Sequence, residues 1–205
     1  MNHLSSVLFM TLALGACTTA RKNVEPLATV RLAADRELYE LRRVGILPIV
    51  SRDLRLEDER ALQGALALNL SGRMHAEIVV LDRGDVTEVP DNDPFRTGRI
   101  EPQAVLALAK RYNLDGFVTA NITERRTYAP QRLGLEIELT ACDTGLPIWS
   151  ASLRIDAAQE RTQTALRTWF TNERGAPGSN ETADLYFLSP QRFAEFAAAQ
   201  IGMAY

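Results

Sequence analysis

Residues 132–155 hold the pattern that leaves this chain the least freedom. Leu133, Leu135, Ile137, Leu139 and Ala141 alternate with Gly134, Glu136, Glu138, Thr140 and Cys142. After Asp143-Thr144-Gly145-Leu146-Pro147, the alternation resumes with Trp149, Ala151, Leu153 and Ile155 set against Ile148, Ser150, Ser152 and Arg154. Successive side chains of a strand point to opposite faces, so a period of two on both sides of a Gly-containing turn predicts an antiparallel hairpin. One of its faces must be buried and the other wet.

The chain upstream can supply both neighbouring strands and a cover. Residues 43–50, RVGILPIV, are apolar and bounded by charge, which predicts a strand. Pro48 lacks a ladder donor and belongs at a bulge, an edge or the strand end. Residues 57–74 follow with Leu62, Leu66, Leu70 and Met74 at i, i+4 spacing, and acids crowd the first turn, where the helix dipole favours them. Residues 76–82, AEIVVLD, read as a second strand, which completes a right-handed βαβ unit. Residues 83–100 are rich in Asp, Pro and Gly and read as a long loop. A helix is expected over 102–113, with Pro102 in its first turn, and a third strand over 115–122.

Beyond the hairpin, a short helix is expected around 160–171, a flexible loop over 172–183, and a last helix over 190–203 with Phe193, Phe196, Ala197 and Ile201 on one stripe. Before the first strand, Leu27, Val30, Ala34, Leu38 and Leu41 recur every three or four residues, which predicts a helical lead-in. The fold class expected is therefore α/β: a single mixed-sheet domain, βαβαβ followed by a β-hairpin, with helices packed on the sheet.

The N-terminus carries a different signal. Residues 4–16, LSSVLFMTLALGA, hold no charge, and the apolar stretch 7–15 is nine residues long. A helix crossing a bilayer needs about 20 apolar residues, so this is the length of a secretory signal. It ends in Leu14-Gly15-Ala16-Cys17, followed by polar Thr18-Thr19. These residues resemble the lipobox of bacterial lipoproteins. The resemblance implies cleavage after residue 16 and acylation of Cys17, the new N-terminus. It also implies an outer-membrane destination, since Thr18 stands where an Asp holds many lipoproteins at the inner membrane. The expected organisation is a signal peptide over 1–16, then the lipidated Cys with a short tether and lead-in helix over 17–42, then an α/β domain with a C-terminal helix over 43–205.

Four segments in order carry a second resemblance: Val44-Gly45-Ile46-Leu47-Pro48, Val80-Leu81-Asp82-Arg83, Ala109-Lys110-Arg111-Tyr112-Asn113-Leu114-Asp115-Gly116-Phe117-Val118, and Asp143-Thr144-Gly145-Leu146-Pro147-Ile148-Trp149-Ser150. Together, across residues 43–156, they resemble the periplasmic α/β domain shared by CsgG-type lipoproteins, the LpoB activator of penicillin-binding proteins and the N-terminal domain of TolB. A secretion pore of the CsgG kind needs hairpins with one continuously apolar face about 9–11 residues long. The hairpin here carries Glu136, Glu138 and Arg154 on its outer face, which excludes it from lipid. An activator that crosses the periplasm needs a long tether. The stretch between Cys17 and folded sequence reaches about 30–65 Å when extended, which keeps any partner near the membrane.

The chemistry of the rest is sparse. Two His and two Cys remove most zinc-site and disulfide-framework readings. A formal charge of -3 argues against a nucleic-acid binder. His75 sits at a helix end and reads as solvated or capping. Cys142 is alone on the hairpin and reads as a small buried or half-buried residue. Asp91-Asn92-Asp93 lacks the Gly and the distant Glu of a calcium loop. There is no G-x-S-x-G, no phosphate-cradling Gly loop and no S-x-x-K. No catalytic residue, metal, cofactor or small-molecule substrate is expected.

The function expected is that of a non-enzymatic lipoprotein on the periplasmic face of the outer membrane. It would hold the membrane through its lipid anchor and act as an accessory, assembly or activator factor on another envelope protein. Candidate contact residues lie on the two expected loops: Arg83, Asp85, Asp91, Asp93, Phe95, Arg96, Arg174 and Asn180. Two alternatives stay open: a lipoprotein that self-associates into a ring around a secretion or motor complex, and a cell-wall hydrolase. The hydrolase would need a pair of carboxylates in a cleft.

Overall fold

The computed structural model describes residues 25–51, 54–89, 93–97, 100–174 and 180–205. Its described strands are β1 (Thr29–Leu32), β2 (Arg43–Ile46), β3 (Glu77–Val80), β4 (Gly116–Arg126), β5 (Arg132–Ala141) and β6 (Pro147–Asp156). The helices are α1 (Leu56–Ser71), α2 (Arg83–Thr87), α3 (Pro94–Thr97), α4 (Pro102–Tyr112), α5 (Glu160–Arg174), α6 (Asn180–Leu188) and α7 (Pro190–Ala204). The strands form one mixed sheet in the order β1-β6-β5-β4-β2-β3. β2 runs parallel to both β3 and β4, while β4, β5, β6 and β1 pair antiparallel. This is the expected single-sheet α/β fold, with the 132–155 hairpin present as β5 and β6.

The topology dictates the layers. From β2 the chain steps to β3 on one side, and from β3 it returns past β2 to β4 on the other. Right-handed crossovers in opposite directions place the connecting helices on opposite faces. Two separate apolar clusters follow. The large one joins Leu62, Leu66 and Leu70 of α1 and Phe193, Phe196 and Ile201 of α7 to the inward residues of β4, β5 and β6. The small one joins Leu108 and Ala109 of α4 and Val86 of α2 to Leu47, Leu81 and Leu114. Leu66, Leu70, Leu135, Leu139 and Phe196 are completely buried. Truncating such a leucine to alanine costs about 2–5 kcal/mol.

Backbone and side-chain hydrogen bonds set the register of these layers. One Asp115 carboxylate oxygen accepts from the backbone N–H groups of both Arg42 and Arg43 at 2.8 Å, which fixes where β2 begins. Asn113 ends α4 in the left-handed conformation, φ 52°. Buried Gln63 donates to the carbonyls of Ile46 and Leu81, joining α1 to the ends of β2 and β3. The buried Gln200 carbonyl accepts from Leu27 N–H at 2.9 Å, which ties the chain entering β1 to α7. At Gly202 a Cβ would lie 2.8 Å from Cβ of Asn69, so α1 and α7 close to a distance that only glycine permits there.

Three sequence expectations are corrected. The lead-in over 27–43 is not a helix: residues 29–32 are β1, paired to β6 from Thr29↔Ser152 to Leu32↔Trp149, and a single 3₁₀ turn follows at Arg36–Leu38. An edge of β6 offering unpaired backbone groups outweighs a weak helical periodicity. The 83–100 segment is not simply a loop, since it contains α2 and α3. The flexible loop over 172–183 is narrowed from both sides, because α5 runs to Arg174 and α6 starts at Asn180.

Replacing Asp115 by alanine removes two charge-assisted hydrogen bonds and leaves two N–H groups without their acceptor. We expect a loss of about 2 kcal/mol in chemical denaturation with an unchanged m-value.

Candidate functional site

The helical layers do not cover the sheet equally. On the face of α2 and α4, cover ends at β4, and the outward residues of β5, β6 and β1 carry no helix. The residues there are polar: Asn121 on β4, Glu136 and Glu138 on β5, Ser152 and Arg154 on β6, and Thr29 and Arg31 on β1 are all exposed. Cross-strand pairing places them in rows. Glu138 stands opposite Ser150, which stands opposite Arg31, and Glu136 stands opposite Ser152 and then Thr29. The result is an uncovered polar surface carrying acids on β5 and arginines on β6 and β1.

Where this surface meets α4 there is a groove of about 600 Å³. Val105, Leu106 and Phe117 form its apolar wall, and Thr119, Asn121 and Glu138 form its polar floor. Leu106 is 60% exposed, while Ala104, Leu108 and Ala109 of the same helix are buried. One end of the groove is closed by Cys142 and the Asp143-Thr144-Gly145 turn, where Gly145 has φ +68°. Burial pushes the Cys142 thiol up to about 11, with Asp115 and Asp143 adding to the effect. The thiol therefore stays protonated at neutral pH and is a poor nucleophile.

The segment between β3 and α4 forms the groove's distal neighbour and is held by its own charges. Asp82 caps α2: its carboxylate accepts from Asp85 N–H at 2.9 Å, and Asp85 accepts from Asp82 N–H at 2.8 Å. The Tyr112 hydroxyl donates to Asp85, which raises the phenol's pKa. Arg111 bonds Glu88 at 2.8 Å. Arg83 reaches inward, bonding the buried Glu59 carboxylate through Nε at 2.8 Å and through a second nitrogen, while its guanidinium lies 4.0 Å from the ring centre of Phe95.

The expected contact residues thus divide. Arg83, Asp85 and Phe95 serve internal contacts. Asp93 and Arg96 are exposed, with Asp93 accepting from Arg96 N–H at 3.2 Å. Arg174 closes α5 and Asn180 opens α6. Asp91 lies outside the described residues, as do Leu14, Gly15, Ala16 and Cys17. The sequence reading missed the uncovered sheet face as a unit. Its signal was present in the run of Glu136, Glu138, Ser150, Ser152 and Arg154.

Among the described residues, no group of three or more His, Cys, Asp or Glu could hold a metal ion. Glu59, the buried carboxylate, is neutralised by Arg83, and Asp58 is held by Arg125 at 2.8 Å. Neither forms a carboxylate pair facing a cleft. No described helix is long and apolar enough to cross a membrane.

The class defined by this architecture is a mixed-sheet α/β domain with one face fully and one face half covered. No family model matches the chain, and no curated protein matches it. Among solved structures it is similar to the PelC dodecamer from Paraburkholderia phytofirmans, at 15% identity and a TM-score of 0.46, over 71% of this chain and 93% of that one. It is similar to lipoprotein GNA1162 from Neisseria meningitidis, at 12% identity and a TM-score of 0.45, over 67% and 99%. It is also similar to the LpoB C-terminal domain from Salmonella enterica, at 10% identity and a TM-score of 0.37, over 56% and 82%.

Two outcomes test this geometry. Arg83→Ala leaves Glu59 charged and buried, and should cost about 3 kcal/mol in a denaturant titration; Glu59→Gln combined with Arg83→Met should recover most of it. Alkylation of Cys142 by iodoacetamide should keep accelerating as pH rises toward about 11. An ordinary thiol would level off above about 8.5.

Proposed function

We propose that this chain is a non-enzymatic lipoprotein, acylated at Cys17 and held on the periplasmic face of the outer membrane. There it acts as an accessory, assembly or activator factor by binding another envelope protein. The observation that carries this reading is the uncovered half of the sheet beside the α4 groove. An antiparallel sheet can leave one face to water, and here that polar face borders a groove walled by exposed Leu106, so polar and apolar contact groups lie side by side. The lipobox-like Leu14-Gly15-Ala16-Cys17 supports the anchor.

Affinity capture from detergent-solubilised envelopes tests the binding role. The wild-type chain should recover a defined envelope protein or further copies of itself, and Glu136→Arg with Glu138→Arg should lose it, since reversing both acids of β5 disrupts complementary contacts. Identical recovery by the two forms, or no recovery by either, would overturn the assignment of this face.

A further inference from the structure

We infer that a cavity at the opposite end of the sheet from the α4 N-terminus takes the phosphate of an anionic lipid headgroup, giving the domain a second hold on the bilayer beside its anchor. The inference extends the lipid-anchored reading and rests on it for the proximity of a membrane.

The cavity, about 550 Å³, lies between the 3₁₀ turn that follows β1 and the chain leaving α1. Leu32, Arg36, Tyr39, Arg73, His75 and Tyr205 line it. The Arg36 guanidinium sits 4.5 Å from the ring centre of Tyr205, a stacking that holds its plane while its edge N–H groups stay available. Arg73 and His75 are exposed, and no ion pair to either, or to Arg36, occurs among the described residues. Arg42, Arg43, Arg83, Arg111, Arg132 and Arg154 all face carboxylates. Glu37 is the one acidic side chain among the residues that line the cavity, set against Arg36 and Arg73. Guanidinium forks match phosphate oxygens in geometry as well as charge.

The mouth of the cavity separates a lipid from a free anion. Leu32, which lines the cavity, is 57% exposed, and Leu38, between the lining residues Glu37 and Tyr39, is 81% exposed. A soluble phosphate has no use for either. A headgroup seated on Arg36 and Arg73 brings the acyl boundary of the bilayer to both leucines, the arrangement of interfacial anchors in which cations meet headgroups and apolar side chains enter beneath them. The chain length permits this. Glu25 is eight steps along the chain from Cys17, a reach of about 26 Å when extended, and β1 then runs toward the cavity.

The test uses the full chain purified from envelopes. Amide hydrogen exchange of segments 32–41 and 72–76 is followed in vesicles of phosphatidylcholine, in vesicles with an equal part of phosphatidylglycerol, and in detergent with inorganic phosphate. Protection of both segments in the phosphatidylglycerol vesicles alone is expected, falling about fivefold for each arginine removed in Arg36→Gln and Arg73→Gln. Unchanged exchange in α1 and α7 verifies that these variants are folded. Equal protection in both vesicle types, protection that survives the double substitution, or protection by inorganic phosphate without a vesicle effect would overturn the proposal. The mass of the same preparation reports acylation of Cys17 separately. Protection without acyl chains would sink the anchor and keep the site, and acyl chains without protection would do the reverse.

Discussion

Everything in this structure depends on the burial of one face of the β4-β5-β6 meander against α1 and α7. Leu135, Ile137 and Leu139 lie at the centre of that contact with Trp149, Phe193 and Phe196, all at most 2% exposed. A hairpin alone is marginal in water, and its apolar face becomes stabilising only when a layer of side chains fills the space above it. α7 supplies that layer, and Gly202 lets it close onto α1 at Asn69. Buried glutamines then fasten the periphery: Gln63 to β2 and β3, Gln131 to α6 through Phe187, and Gln200 to the chain entering β1.

The same burial leaves the opposite face of the meander without a partner. α4 can cover only the strands beside its own crossover, because a right-handed return from β3 to β4 sets it over β2 and its neighbours. β5, β6 and β1 lie beyond its reach. Their outward side chains are accordingly polar, and the boundary between covered and uncovered sheet is the groove beside Leu106. The proposed contact surface is thus a consequence of topology, and its composition follows from having to meet water when no partner is bound.

Much of this could be read from residues alone, and the failures have physical causes. The period-two run over 132–155 and the i, i+4 stripe of Leu62, Leu66 and Leu70 report directly which face is buried, so the hairpin, α1 and α7 were legible. β1 was not: Leu27, Val30, Ala34, Leu38 and Leu41 mimic a helical stripe, and the force that makes residues 29–32 a strand is the open edge of β6, which lies 120 residues away in sequence. α2 hid inside a segment dense in Asp, Gly and Pro, although Asp82 and Asp85, three residues apart, form a readable capping pair. Arg83 and Asp85 looked like free surface charges for the same reason. Their partners Glu59 and Tyr112 come from other helices, so only the fold reveals that they are spoken for. The cavity around Arg36, Arg73 and His75 was illegible because it joins three distant stretches of chain.

The central claim is that the uncovered half of the sheet is occupied in the cell. Maleimide labelling of a chain carrying Ser152→Cys measures this directly, since Ser152 is exposed at the middle of that face and native Cys142 is held protonated. The account predicts ready labelling of the purified protein and marked shielding in intact envelopes. Equal labelling in both would mean that the face stays open to water, and the account of the sheet as a contact surface would be wrong.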